Sequence, residues 1–361
     1  MPRHIPSLDG LRAIAVMLVL WCHVPLTLEG YPLWLAEARW WINPGDFGVE
    51  LFFALSGFLI TRILLAEREA GQQVRWFLLR RLLRIFPIYY LLLLIMASWR
   101  PGREIAWNAL YLSNFTDVFA PTPGLKPLGH TWSLCVEEHF YLIWPLIVGC
   151  CAPKIALRIL KWLIIPVAIA VAFLVCAYVE KHAAEWAVQR LSPIRFLTLA
   201  CGALIAYGET RLNASPKRLL VMGIALTTVG LLLHPNIWFV YVPFGWLQAS
   251  WWPLDMAPAF IRVQSAILCT GILMCCLVAP RRFGLVNGIL SAAPLRAIGR
   301  ISYGLYLYHL PIFQILIHTD QRQSRVLLAV GLTFAAATTS YWLIERPILK
   351  YASRFRNRGR S

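Results

Sequence analysis

Arg12 and His23 are the two residues whose types and spacing most directly indicate chemistry. Both lie in the apolar stretch LDGLRAIAVMLVLWCH, residues 8–23. At about 100° per residue, their separation places both side chains on one helix face, ~16 Å apart along the axis. An ionisable side chain in an apolar helix that spans a membrane is energetically costly unless it faces a protein interior or a water-filled cavity. The pair is therefore predicted to be functional, with His23 as the catalytic candidate. The alternative is that His23 only hydrogen bonds a neighbouring helix.

Carboxylates occur in two further apolar segments. GVELFFALSGFLITR carries Glu50 near its outer end, and HTWSLCVEEHFYLIWPL carries Glu137 and Glu138. Carboxylates within a membrane span are functional candidates by default, and two adjacent ones cannot both face one site. Glu50 or Glu137 could fix the tautomer of His23 and raise its basicity. For Glu50, a carboxylate in water at the outer interface is an equal alternative.

An arginine cluster opens the segment RWFLLRRLLRIFPIYY. Arg81 and Arg84 are three residues apart and share a helix face. The planar fork of donors in arginine suits phosphate recognition. The cluster therefore predicts a binding site for a phosphate-bearing cytosolic ligand. Anchoring of a helix at the cytoplasmic interface is the alternative explanation.

These residues are expected to lie on membrane-spanning helices. The chain of 361 residues is 59% hydrophobic and only 14% charged, whereas soluble proteins carry about 25% charged residues. Apolar runs of about 18 or more residues predict membrane spans. We predict an all-α, polytopic membrane helix bundle of about ten transmembrane helices, at residues 11–28, 46–66, 82–98, 132–151, 161–179, 193–208, 218–233, 262–279, 299–318 and 324–346.

The distribution of basic residues predicts that both termini are cytoplasmic. With ten spans, twenty-two basic residues fall in cytoplasmic segments and ten in outer segments, and basic loops stay in the cytoplasm. The apolar stretch 237–252 is a rival eleventh span. An eleventh span would place the basic C-terminal tail outside, against the rule that basic segments stay in the cytoplasm. Residues 235–261 are therefore predicted to lie outside or in the interface. The net charge of +17 is therefore explained by basic residues in the cytoplasmic segments, and no nucleic-acid partner is expected.

The remaining segments suggest no second domain. Residues 1–350 are predicted to form the membrane domain, and residues 351–361 a basic cytoplasmic tail beside anionic lipid. Part of the outer segment 99–130, REIAWNALYLSNF, is predicted to form a short interfacial or re-entrant helix. The nine cysteines show no metal or redox spacing, and no metal site is expected.

Six motifs in order resemble the acyltransferase-3 family of integral-membrane acyltransferases, which includes bacterial surface-polysaccharide O-acetylases. They are LDGLRAIAV with Arg12 and His23, GVELFFALSGFLI, Arg81 and Arg84 followed by IFPIYY, HTWSLCVEEHFYLIWP, ISYGLYLYHLPI, and the terminal YWLIERP. They extend from residue 8 to residue 347. The resemblance is to members without a fused esterase-like domain, so we expect direct transfer to the acceptor or hand-over to a separate periplasmic partner.

The resemblance implies a ten-helix bundle in the bacterial inner membrane that moves an acyl group from cytosolic acyl-CoA, commonly acetyl-CoA, to a sugar hydroxyl. It implies that Arg12 and His23 are essential, that Arg81 and Arg84 bind the donor, and that Glu137 is the essential carboxylate of its helix. Ser302 and Tyr303 match a motif of less clear role. The expected partners are membrane lipid, the donor and a glycan or glycolipid acceptor, such as a lipopolysaccharide or an exopolysaccharide.

The expected activity is O-acyl transfer, with acetyl as the expected group. His23 is expected to act as general base on the acceptor hydroxyl, a role typically worth ~10²–10⁴ in rate. A covalent acyl-histidine is the alternative mechanism. Arg12 is expected either to stabilise the thioester oxyanion or to contact the donor. The rival function is a polytopic transporter or lipid-linked-sugar translocator, in which intramembrane arginine, histidine and glutamate line the path.

Overall fold

The structure, a computed structural model, describes residues 4–25, 32–119, 127–211, 215–234, 256–282, 284–317 and 323–356. Within these ranges the chain is helical and contains no strand. The first helices are α1 (Pro6–His23), α2 (Leu33–Ile42), α3 (Pro44–Glu69), α4 (Val74–Trp99), α5 (Arg103–Ala109), α6 (Ser113–Phe119) and α7 (Trp132–Cys150). The next are α8 (Pro153–Ile159), α9 (Ile165–Tyr178), α10 (Lys181–Arg190), α11 (Ser192–Arg211) and α12 (Pro216–Leu232). The last are α13 (Ala257–Arg282), α14 (Gly284–Leu290), α15 (Ala293–Arg300), α16 (Ser302–Ile317), α17 (Gln323–Ser340) and α18 (Arg346–Ala352).

Each of the ten predicted spans coincides with a helix or a pair of joined helices. Single turns of π-helix at Leu160–Ile164 and Tyr341–Glu345 join α8 to α9 and α17 to α18. One predicted span, 299–318, begins in α15 and continues in α16 after a break at Ile301. The all-α architecture is therefore confirmed, and the number of crossings stays a prediction.

Among the described residues, six helical stretches are long and apolar enough to cross a membrane. They are Pro44–Glu69, Val74–Trp99, Pro153–Tyr178, Lys181–Glu209, Ala257–Val278 and Gln323–Phe355. A span needs about 20 residues, whereas α12 has 17 residues and α16 has 16. Helices α1 (18 residues) and α7 (19 residues) are continuous, and each contains charged residues that lower its hydropathy, including Arg12 in α1 and Glu137 in α7. The chain is a multi-pass membrane protein.

The core of the bundle is a close crossing of α3 and α11. A Cβ atom on Gly57 would lie 1.9 Å from the carbonyl oxygen of Leu199, and one on Gly202 would lie 2.1 Å from that of Ala54. Only glycine allows the two backbones to approach this closely, as small residues do between membrane helices. Helix α1 packs on α3 in a similar way, at Gly48. This packing places Arg12 and His23 beside α3.

The predicted short helix after the third span is confirmed as two helices, α5 and α6. Tyr111, between them, has a left-handed backbone (φ 56°). Its ring stacks on that of Tyr89, with centroids 4.6 Å apart, and this contact holds the break against α4. Residues 120–126 of the outer segment 99–130, and residues 235–255 of the segment predicted to lie outside or in the interface, are not among the described residues.

The start of the predicted tail packs against α4. The Phe355 ring stacks on Trp76 with centroids 5.7 Å apart, and Arg80 donates to the Phe355 carbonyl oxygen at 3.4 Å. Helix α18 continues through residue 350, the predicted domain limit. The C-terminal segment therefore lies against the helix that carries Arg81 and Arg84.

The predicted topology has a direct test in reporter fusions. Fusions at residue 215 and after residue 361 are expected to report the cytoplasm, and a fusion at residue 180 the outside, because basic loops are retained inside. The measurement is the activity of a paired reporter that is active on only one side of the membrane. A C-terminal fusion active outside would contradict the ten-span arrangement.

Candidate active site

Four of the predicted site residues line one cavity. The cavity has a volume of about 90 Å³, and Arg12, Arg81, Arg84 and Glu137 form part of its wall. The other lining residues are Val49, Phe52, Phe53, Leu55, Ser56, Ile85, Ser133, Leu134, Tyr141, Ser302, Tyr303 and Tyr306. Residues far apart in sequence thus converge from α1, α3, α4, α7 and α16. Neither His23 nor Glu50 lines this cavity.

The charged wall of the cavity favours an anion. Three guanidinium groups, those of Arg12, Arg81 and Arg84, face one carboxylate, that of Glu137. The Arg81 guanidinium lies over the Tyr141 ring, 3.7 Å from its centroid, so the aromatic face stabilises one of the cations. Arg84 remains exposed, which leaves it available to a ligand. Like charges held this close are costly, and a phosphate-bearing ligand would relieve the repulsion.

Glu137 is held at the cavity wall by two hydroxyl groups. Those of Ser56 and Tyr141 lie within hydrogen-bonding reach of its carboxylate and bond to each other. Pro145, four residues after Tyr141, has no N–H to donate to the Tyr141 carbonyl. The adjacent Glu138 does not line the cavity. The structure thus places Glu137, rather than its neighbour, beside the arginines.

His23 is the last residue of α1, and its ring has a defined hydrogen-bond pattern. Nδ1 lies 2.9 Å from the carbonyl oxygen of Val19, which can only accept, so Nδ1 carries the proton in the neutral ring. The tautomer assigned by this network leaves the lone pair on Nε2. His23 is only partly buried. A nitrogen with a free lone pair and partial access is what a general base requires.

Arg39 of α2 holds the end of α1 in place. It donates to the carbonyl oxygens of Cys22 and Val24. The last carbonyl groups of a helix have no partner within the helix, and a cation at this end is electrostatically favourable. Arg39 thereby fixes the turn that carries His23.

Two more histidines contact His23 directly or through one neighbour. His309 Nε2 lies 3.3 Å from His23 Nδ1. The ring centroids of His309 and His130 are 4.9 Å apart. His130 Nε2 lies 3.1 Å from the carbonyl oxygen of Leu307. That carbonyl lacks its helical partner because Pro311 has no N–H. The proline of α16 therefore helps to position His130.

Tyr306 connects this histidine cluster to the cavity. Its hydroxyl donates to the His130 carbonyl oxygen at 2.9 Å and lies 2.6 Å from the Ser133 hydroxyl. Both Tyr306 and Ser133 line the cavity, and the Tyr306 and His309 rings are 5.7 Å apart. The cavity and the histidines are thus neighbouring parts of one site.

Glu50 has different partners from those that the sequence suggests. Its Oε1 lies 2.9 Å from Nη1 of Arg195 and 3.2 Å from Nη1 of Arg262. Asp46, one turn earlier on α3, accepts from Arg262 at 2.7 Å, and all four residues are buried. These contacts join α3 to α11 and α13. Support of His23 by Glu50 stays a prediction, and its observed contacts are structural.

The described residues contain no group of His, Cys, Asp and Glu side chains arranged to hold a metal ion.

The chain matches the model of the acyltransferase-3 family, described as an acyltransferase domain, over residues 5–345. The chain belongs to the acyltransferase-3 family. It is therefore an acyltransferase by family, and the resemblance of its motifs is confirmed.

Three curated relatives are similar over nearly the whole chain. The peptidoglycan O-acetyltransferase OatA of Listeria monocytogenes is 30% identical, covering 96% of this chain and 56% of the relative. The putative peptidoglycan O-acetyltransferase YrhL of Bacillus subtilis is 30% identical, covering 96% and 55%. The O-acetyltransferase OatA of Staphylococcus aureus is 26% identical, covering 97% and 58%. The chain thus spans little more than half the length of these relatives. No solved structure matches it.

Replacing Arg39 by glutamine is expected to destabilise the site without removing a cavity residue. The change leaves two carbonyl groups at the end of α1 without their charged donor, which costs roughly 1–3 kcal/mol. A lower Tm of the detergent-solubilised protein is the expected result. Arg103→Gln on α5 is the matched control, because that arginine is exposed. An unchanged Tm for Arg39→Gln would show that the cap contributes nothing.

Proposed function

We propose that this protein is an O-acetyltransferase that moves an acetyl group from cytosolic acetyl-CoA to a sugar hydroxyl of a bacterial cell-wall glycan. The observation that carries the proposal is the juxtaposition of an arginine-lined cavity with a histidine whose Nε2 has no hydrogen-bond partner among the described residues. The family membership gives the reaction class and disfavours the translocator. Three relatives are named as O-acetyltransferases, two of them for peptidoglycan, which makes a cell-wall glycan the favoured acceptor.

The arginines would hold the donor. The diphosphate of CoA is an anion, and Arg81 and Arg84 offer planar, bidentate donors at the cavity wall. Arg12 and Glu137 lie on the same wall, so the acyl end would pass them on its way to the histidines. The lining of phenylalanine, leucine and tyrosine side chains excludes water from the thioester.

The chemical step that we propose at His23 is a direct transfer of the acetyl group from the thioester to the acceptor hydroxyl. Nε2 takes the proton from the acceptor hydroxyl as its oxygen attacks the thioester carbonyl carbon. The C–O bond forms, the C–S bond breaks, and the imidazolium returns the proton to the departing CoA sulfur. Such general base catalysis typically contributes ~10²–10⁴ in rate. Arg12, ~16 Å from His23 along α1, lies on the cavity wall and would contact the donor there.

The proposal is tested by the ester content of the cell wall. Glycans from a deletion strain and from the same strain carrying the gene are treated with mild alkali, and the released acetate is measured. The complemented strain is expected to release ester-linked acetate that the deletion strain lacks. Equal release from both strains, with the protein present in the membrane, would refute the function.

A further inference from the structure

We infer that His309 is a positioning residue for His23, a role that rests on the proposed function of His23 as general base. The two side chains come from α1 and α16 and are 286 residues apart in the chain. Their ring centroids are 4.8 Å apart. His309 is completely buried, at 0% exposure, so it does not reach an acceptor sugar and acts through its neighbour.

The orientation of His309 is fixed by the backbone of its own helix. Nδ1 lies 2.6 Å from the carbonyl oxygen of Tyr306, and a carbonyl oxygen can only accept. In the neutral ring Nδ1 therefore carries the proton, and Nε2 carries the lone pair. A completely buried imidazole without a carboxylate partner among its described contacts is most stable in this neutral form.

The lone pair of His309 is directed at the proton of His23. Nε2 of His309 lies 3.3 Å from Nδ1 of His23, which also donates to Val19 at 2.9 Å. The His23 proton is thus shared between two acceptors, one on each side. Val19 alone fixes the tautomer, and the second acceptor, on α16, fixes the tilt of the ring about α1.

The hydrogen bond to His309 also stabilises the protonated form of His23 during the reaction. When Nε2 of His23 takes a proton, the ring becomes a cation, and hydrogen bonds from a charged donor are shorter and stronger than those from a neutral one. The bond to His309 therefore strengthens as the acceptor hydroxyl loses its proton. His309 takes the place that an acidic side chain occupies in many base-orienting arrangements, but it carries no charge of its own.

The walls around His309 keep it in this orientation. His130 packs against one side of the ring, with centroids 4.9 Å apart, and Phe313 packs against it edge-on at 6.0 Å. His130 is in turn held by the Leu307 carbonyl that Pro311 leaves free. The motif LYHLP, residues 307–311, thus supplies both the acceptor for His23 and the carbonyl that anchors its neighbour His130.

The test compares two replacements of His309 in the full chain reconstituted in vesicles, with acetyl-CoA as donor and a soluble muropeptide as acceptor. His309→Phe keeps the ring volume and removes the acceptor. His309→Gln can place a carbonyl oxygen near the position of Nε2. The phenylalanine variant is expected to lose about 10–100-fold in kcat with an unchanged KM for acetyl-CoA, because a misplaced base slows chemistry and not donor binding. The glutamine variant is expected to recover most of this loss.

Controls separate positioning from packing and from the proposed function itself. Ile315→Val alters an exposed side chain on the same helix without changing a hydrogen bond to His23, and it is expected to keep the wild-type kcat. Should His309→Phe fail to accumulate, His309→Leu replaces it in the comparison. A wild-type kcat in the acceptor-free variant, or equal losses in that variant and in His309→Gln, would overturn the inference. Wild-type activity of His23→Ala in the same assay would instead overturn the proposed role of His23 as general base.

Discussion

A His23→Ala variant is expected to lower acetyl transfer by about 10²–10⁴-fold, because it removes the proposed general base from the reacting hydroxyl. The alanine cannot accept the proton at the position of Nε2, whereas the cavity that holds the donor is unchanged. Donor affinity should therefore stay at its wild-type value. The measurement is the ester-linked acetate released from the cell wall of a deletion strain that expresses the variant.

The matched control for this variant is His182→Ala. His182 lies on α10 with 85% of its side chain exposed, and its removal is expected to leave the acetate content unchanged. Western blotting of membranes shows whether both variants accumulate equally. If His23→Ala restored the full acetate content to the deletion strain, His23 would not be the general base.

Replacing Arg81 and Arg84 together by glutamine is expected to weaken binding of acetyl-CoA by about 100-fold or more. Each charged hydrogen bond to a phosphate contributes roughly 1.5–3 kcal/mol, and about 1.4 kcal/mol corresponds to a tenfold change in Kd. Isothermal titration of the detergent-solubilised protein with acetyl-CoA gives this Kd directly.

Arg75→Gln is the control for the arginine pair. Arg75 lies on the same helix, is exposed and does not line the cavity. It is expected to keep the wild-type Kd. If the double variant binds acetyl-CoA as tightly as the wild type does, the arginines serve only to anchor α4 at the cytoplasmic interface.

The sequence predicted the spans and the residues of the cavity because both depend on local composition. Apolar runs mark helices wherever they occur, and an ionisable residue within such a run stands out against its neighbours. Arg12, Arg81, Arg84 and Glu137 were found in this way, and the structure brings all four to one wall. That they share a wall depends on the packing of α1, α4 and α7, which no local pattern specifies.

The partners of Glu50 show where the sequence interpretation is incomplete. The ten basic residues assigned to outer segments include Arg195 and Arg262, but in the structure both lie within helices, α11 and α13, and are buried. A signal was present, because Asp46 and Glu50 are four residues apart on one helix face and need cations when buried. The sequence could not identify these cations, since the pairing depends on long-range packing.

The histidine cluster could not be predicted for a similar reason. His130 and His309 each occur in an apolar segment and stand out as polar residues, but nothing in their local sequence relates them to His23. The contact depends on how α16 packs beside α1. Pro311 offered a partial signal, because a proline within a helix frees a carbonyl that a buried side chain must satisfy.

The role of His23 is tested most directly with the protein in proteoliposomes, with acetyl-CoA carrying a labelled acetyl group and a muropeptide as acceptor. We expect a labelled, alkali-labile ester on the sugar with the wild-type protein and with Arg75→Gln, and none above background with His23→Ala. A labelled ester formed at the wild-type rate by His23→Ala, at equal protein, would contradict this role.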